Sequence, residues 1–180
     1  MTTGQTLLSI GALLLLSLTV LRVNNTILYS DSVMYDSKYA IMANSIATSI
    51  IEKASRVRPN GQSMHFDENT ILNQLTDSTQ LTPYTSLRTE SGEPTEDQYD
   101  DFDDYNGYTQ QDDYYGSVTF YSRCEVCYVM PNNPDAKLNT TSWHKKLSVA
   151  VTWRQNDQPV GFVTDTIRQS TIFSYWWYAR

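Results

Sequence analysis

Oxygen ligands crowd one short part of this chain. The stretch YDDFDDYNGYT, residues 99–109, brings Asp100, Asp101, Asp103, Asp104 and Asn106 together and follows them with Gly107, which allows a tight turn. Carboxylate and amide oxygens so placed are the chemistry of a hard cation, calcium above all. The register is not that of an EF-hand, because Tyr105 breaks the oxygen pattern and no glutamate follows at the required distance. Residues 90–113 carry ten acidic side chains and no basic one, and such blocks ordinarily form solvated loops. A solvated acidic loop is therefore the expectation, with calcium as its sharper alternative and no other cofactor.

The second pair able to do chemistry is Cys124 and Cys127, the whole thiol inventory. In CEVCY the residue after the second cysteine is Tyr128 rather than His, which excludes c-type haem attachment. His65 and His144 are the only histidines, too few soft ligands for a zinc site. On a regular strand through 118–130 the two thiols face opposite sides and cannot pair directly. A disulfide then needs a bulge or turn at Glu125–Val126, and outside the cytoplasm an oxidised pair is the expectation. No Ser-His-Asp order with a supporting motif, phosphate loop or dinucleotide fingerprint occurs. Ten crowded carboxylates do not single out an acid with a raised pKa for glycoside hydrolysis. The chain is expected not to be an enzyme.

The elements that position these residues divide the chain in two. No charged side chain occurs from Met1 to Val23 other than Arg22. A helix over that stretch is about 34 Å long at ~1.5 Å per residue, enough to cross a hydrocarbon core. Beyond Arg22 no helix breaker intervenes. Tyr39, Met42, Ile46, Ile50 and Val57 recur at helical spacing, as do Ile27, Met34 and Ile41. One helix over about residues 2–57 is predicted, apolar over 1–23 and amphipathic over 24–58. Its start lacks the basic region and cleavage site of a secretory signal peptide. The segment RPNG, 58–61, marks the boundary to a head spanning 59–180.

Charge follows the same division. The first 58 residues carry five basic and three acidic side chains, and the rest 8 and 17, within a net charge of −7 for 180 residues. With a pI near 4.7, no nucleic-acid partner is expected. DENTILNQLT, 67–76, predicts a short helix opening near Asp67. Residues 80–116 show no sustained period, apart from the acidic block at 90–115. Val118, Phe120, Cys124, Val126, Tyr128 and Met130 share one strand parity. Leu147, Val149, Val151 and Trp153 alternate with polar neighbours, RQNDQP at 154–159 turns, and VGFVTDTI at 160–167 returns as a partner strand. The fold class is α+β, a long N-terminal helix packed on a small antiparallel sheet of three or four strands. The chain closes on Tyr175, Trp176, Trp177 and Tyr178. A strand buries one parity only, so the other aromatics are candidates for a subunit contact.

An uncleaved apolar helix that turns amphipathic past its midpoint and leads into a β-rich head resembles a mature type IV pilin or pseudopilin. DDFDDYNGY and KKLSVAVTW also resemble elements of minor pilin-like proteins of mannose-sensitive haemagglutinin pili. The resemblance implies an extracellular cell-surface filament whose subunits sit in the inner membrane before assembly. The subunits then polymerise with copies of themselves through the apolar helix, helped by pilus or secretion machinery. Gln5, Leu7, Leu8, Gly11, Leu14, Leu15 and Leu18 become filament-core residues. Gln5 stands where the family usually carries glutamate, so it would hydrogen-bond to a neighbour rather than neutralise it. Arg22 stands where many pilins have proline, so helix melting there is less encoded. The alternatives are a minor pilin or pseudopilin of a pilus or type II secretion machine, and a single-pass membrane-anchored extracytoplasmic binding domain.

Overall fold

The computed structural model describes residues 2–55, 64–70, 75–155 and 165–178, the last with side chains through Trp176. Two compact units result, Met1–Ile41 and Met42–Arg180. Helix α1 runs from Thr3 to Ser55, as the unbroken run of helix formers requires. The RPNG turn lies outside the described residues. Within the second unit, Ala43, Ala47, Ile50 and Ala54 of α1 are buried at 0–1% exposure, whereas Met42 and Ile46 are only half-buried. The buried stripe is therefore mostly alanine; Ile50 belongs to it as the spacing predicts, whereas Met42 and Ile46 lie one position round from it. Small side chains let a helix backbone lie close to the surface beneath it. Hydrogen bonds at the stripe's edge join Thr48 and Asn44 to Gln169 (3.2 and 2.6 Å), and Lys53 meets Glu96 at 3.1 Å.

The head holds a four-stranded antiparallel meander, β1 (Thr109–Tyr114), β2 (Val118–Tyr128), β3 (His144–Gln155) and β4 (Asp165–Ser174), in spatial order β1-β2-β3-β4. A single helical turn, α2 (Tyr175–Tyr178), follows β4. The parity reading of β2 and β3 holds: Val118, Phe120, Cys124, Val126 and Tyr128 are buried, as are Leu147, Val149, Val151 and Trp153. Met130 falls beyond β2 and is half exposed. Strand β1 lies inside the stretch without sequence period, and its alternation is only between exposed and half-buried positions. A tight turn joins it to β2. Tyr115 and Gly116 both take positive φ (49° and 67°), and the Ser117 amide donates to the Tyr114 carbonyl at 3.0 Å, the geometry of a type I′ hairpin turn.

Two local expectations are corrected. The described residues of 67–76 show no α-helix: a 3₁₀ turn covers Glu68–Thr70, and another follows at Ser78–Gln80 behind an Asp77–Gln80 capping box. Residues 71–74 lie outside the described residues, as do 156–164, where the 154–159 turn and the start of VGFVTDTI fall. Tyr175–Tyr178 form a helical turn rather than a strand.

Candidate functional sites: an uncovered apolar helix and a buried acidic cluster

In the first unit every large apolar side chain from Leu7 to Val23 is more than half exposed. This includes the expected core residues Leu7, Leu8, Leu14, Leu15 and Leu18. Mean hydropathy over the most apolar 18-residue window of the helix reaches 2.1, with none of that window buried. The hydroxyls in this stretch are silenced by their own backbone. Thr6 donates to the Thr3 carbonyl, Ser9 to Gln5, Ser17 to Leu13 and Thr19 to Leu15, all at 2.8–3.0 Å. Such bonds let Ser and Thr enter an apolar phase without an unmet donor. Gln5 has a role in its own chain: its Oε1 accepts the Thr2 amide at 3.4 Å. Thr2-Thr3-Gly4-Gln5 thus supplies the glutamine half of a capping box. No atom lies within 4 Å of a Cβ built on Gly4 or Gly11, so both leave a smooth notch for close approach of another helix.

The head's chemistry centres on Lys145, whose side chain is wholly buried. It shares parity with Leu147, Val149 and Val151, so the strand aims it inward. Its cross-strand neighbours are Tyr128 and Phe173. All three ammonium protons find acceptors: the Phe66 carbonyl (2.8 Å), Asp67 Oδ2 (2.8 Å) and Asp103 Oδ1. The rings of Phe66 and Tyr128 lie 4.8 and 5.5 Å from Nζ. Asp67 also accepts the Thr82 amide (3.0 Å) and hydroxyl (3.1 Å) and the Asn69 amide (3.1 Å). Burial alone would raise Asp67, but Lys145 and those donors overcome it and hold the carboxyl below its usual range. Burial likewise opposes the charge on Lys145, and Asp103, Asp67 and Asp101 outweigh it, so its pKa rises. Asp103 has no such set of amides and carries one buried oxygen without a partner. Burial therefore wins there and lifts its pKa despite Lys145.

Within the acidic stretch the 101–104 segment is thus not solvated, although its other acids are exposed or half-buried. Asp101, Asp103 and Asp104 are at most 1% exposed. Asp104 Oδ2 accepts the amides of Asp100 and Asp101 (2.9 and 3.1 Å), and Asp101 Oδ1 accepts that of Asp103 (2.8 Å). Asn106 faces elsewhere, donating to the Leu87 carbonyl (2.7 Å) and accepting the Val126 amide (2.9 Å), which ties the loop to β2. The five residues expected to ligate calcium are therefore not brought together as one set. Instead, single carboxylate oxygens of Glu90, Glu93 and Asp104 lie within 4.8 Å of one another, and so do those of Glu68, Glu90 and Asp101. Burial, with repulsion from Asp103, lifts Asp101 well above the usual carboxylate range. Burial also lifts Asp104 to about 8, against the two amides, with Glu93 and Glu90 adding repulsion. Glu68, Glu90 and Glu93 were absent from the expected ligand set because they are remote in sequence from the aspartates.

Cys124 and Cys127 are free thiols. The β2 ladder pairs Cys124 with Val149 and Cys127 with Lys146 in unbroken register, so the bulge a disulfide needs is absent. Burial pushes the Cys124 thiol up to about 12, with Glu96 contributing. Tyr175 is not available as a contact: it is 4% exposed, packs with Phe66 and Trp143, and accepts the Leu75 amide on its hydroxyl at 3.1 Å. Trp176 is 62% exposed. The side chains of Trp177 and Tyr178 lie outside the described residues.

No protein-family model, curated protein or solved structure matches the chain. The long apolar N-terminal helix followed by an antiparallel sheet is an architecture of type IV pilin kind, and the helix is long and apolar enough to enter a membrane.

Proposed function

We propose that the chain is the structural subunit of an extracellular pilin-like filament, stored in the inner membrane and polymerised with copies of itself through the first part of α1. The observation that carries this reading is the uncovered run from Leu7 to Val23 with its hydroxyls turned inward. Burying a Leu or Val side chain contributes about 1.5–3 kcal/mol, so such a run drives strongly toward an apolar surround. Lipid supplies that before assembly; neighbouring helices supply it afterward, with Gly4 and Gly11 permitting close contact. Assembly machinery of the pilus or secretion kind would transfer the subunit from one to the other. Neither enzyme activity nor nucleic-acid binding is part of the proposal.

Negative-stain microscopy of the native protein tests it. Long filaments composed of this chain alone are the expected result. A subunit that stays monomeric in detergent and never polymerises on its removal would overturn the reading in favour of a membrane-anchored domain. Leu14→Asp should abolish filaments while the head stays folded.

A further inference from the structure

Among the described residues, six buried carboxylate oxygens of the head have no hydrogen-bond partner: Oε2 of Glu90, Oε2 of Glu93, Oδ2 of Asp101 and Oδ1 of Asp104, together with Oδ1 of Asp100 and Oδ2 of Asp103. Asp101 and Asp104 are 0% and 1% exposed. In both aspartates the second oxygen is held by backbone amides, which fixes the side chain and leaves the partnerless oxygen for the cluster. An unmet buried carboxylate oxygen is costly, the more so with others of like charge beside it. Lys145 donates no hydrogen bond to these oxygens, because its three protons are spent on Phe66, Asp67 and Asp103.

The spacing suits a cation. Oxygens around one calcium at 2.3–2.6 Å lie no more than about 5 Å apart, and each of the two carboxylate triads falls within 4.8 Å. Glu90 belongs to both triads and so links the five side chains. They come from three segments outside the sheet: the 68–70 turn, the 90–93 turn and the 101–105 turn, the last joined to His65 by an isolated bridge at Asp101. Gly92, at φ +126°, shapes the middle one, where the Glu93 amide meets the Glu90 carbonyl at 3.4 Å. No histidine or cysteine takes part in either triad, which selects hard cations over zinc or copper. An all-protein carboxylate set on turns suits calcium better than magnesium, which demands tight octahedral geometry and keeps its waters.

We propose that Glu90, Glu93 and Asp104, flanked by Glu68 and Asp101, bind a calcium ion that clamps these three turns of the head together. The site lies within the head and would operate whether the chain is in a filament or alone in a membrane. Affinity in the range of extracellular modules, about 10⁻⁴–10⁻³ M, is expected.

The full chain in detergent, stripped with EDTA, is titrated with calcium chloride by calorimetry, and its melting temperature is measured with and without the ion. Saturable binding and a rise in Tm of about 5 °C or more at saturating calcium are expected. Glu90→Gln should remove both, because Glu90 serves both triads. Glu68→Gln, at an exposed position, should weaken binding by about tenfold without harming the fold, and it keeps the test open should Glu90→Gln fail to fold. Asp135→Asn, at an exposed acid paired with Lys146, should bind as the wild type does. Wild-type protein that shows neither binding heat nor a Tm rise with calcium overturns the site. So does undiminished calcium binding by folded Glu90→Gln or Glu68→Gln.

Discussion

Leucine is treated in opposite ways by the two units. Leu7, Leu8 and Leu15 are 68–77% exposed in the first, whereas Leu81 and Leu147 are at most 2% exposed in the second. Charge is treated oppositely too. Asp67, Asp101, Asp103, Asp104 and Lys145 are buried in the head, while Asp31 and Asp36 of the first unit are exposed. The lesson is that residue type sets the cost of a placement but not the placement itself. The head places charges inside because one lysine, several amides and a set of turns satisfy most of them locally. The helix keeps leucines outside because one helix cannot cover itself.

The largest test of this contrast is Leu14→Asp, which should abolish polymerisation and leave the melting temperature of the head unchanged, read by microscopy and by circular dichroism. A head that unfolds with this substitution would break the separation of the two units. Next is Lys145→Ala, which leaves Asp67 and Asp103 buried without their cation. A loss of about 3–5 kcal/mol in denaturant unfolding is expected, against almost nothing for Lys38→Ala in the first unit.

Cys124 sharpens the contrast through pH. Its pKa is raised to about 12, so the buried neutral thiol contributes stability that is fully present below the unfolded value. That contribution is lost as pH rises from there through the folded value. Iodoacetamide at pH 8 should therefore label native Cys124 at least about a hundredfold more slowly than the urea-unfolded chain, since the thiolate is the nucleophile. Rapid native labelling would show that the head interior is open. The smallest effect concerns alanine. Ala47→Leu overfills a fully buried position and should cost about 1–3 kcal/mol, whereas Ala12→Leu should leave head stability within about 0.5 kcal/mol. Equal effects would erase the difference between the two parts of one helix.

Much of the frame was legible in the residues. The long helix follows from a run without breakers, and β2 and β3 follow from strict alternation at Val118–Tyr128 and Leu147–Trp153. Lys145 was within reach of the same rule, since it falls in phase with Leu147. The alanine stripe was not, because alanine carries little weight in an apolar period. Strand β1 was hidden because its faces are exposed or half-buried, which blurs the alternation of TQQDDY. The oxygen cluster was hidden because Glu90 meets Glu68 and Asp101, and also Glu93 and Asp104, only after the turns have closed.

By itself, then, the sequence determined the apolar helix, the inward parity of two strands and the division of charge between the two parts of the chain. These depend on properties that repeat along the chain and need no distant partner. Only the tertiary structure decided that Asp101, Asp103 and Asp104 of DDFDDY are inside, that Lys145 holds two carboxylates, and that the cysteines stay apart. Burial and ion pairing are set by which surfaces meet. Here those surfaces are Phe66 to Asp67, the 101–105 turn and the Tyr128–Lys145 pair, brought together across dozens of residues.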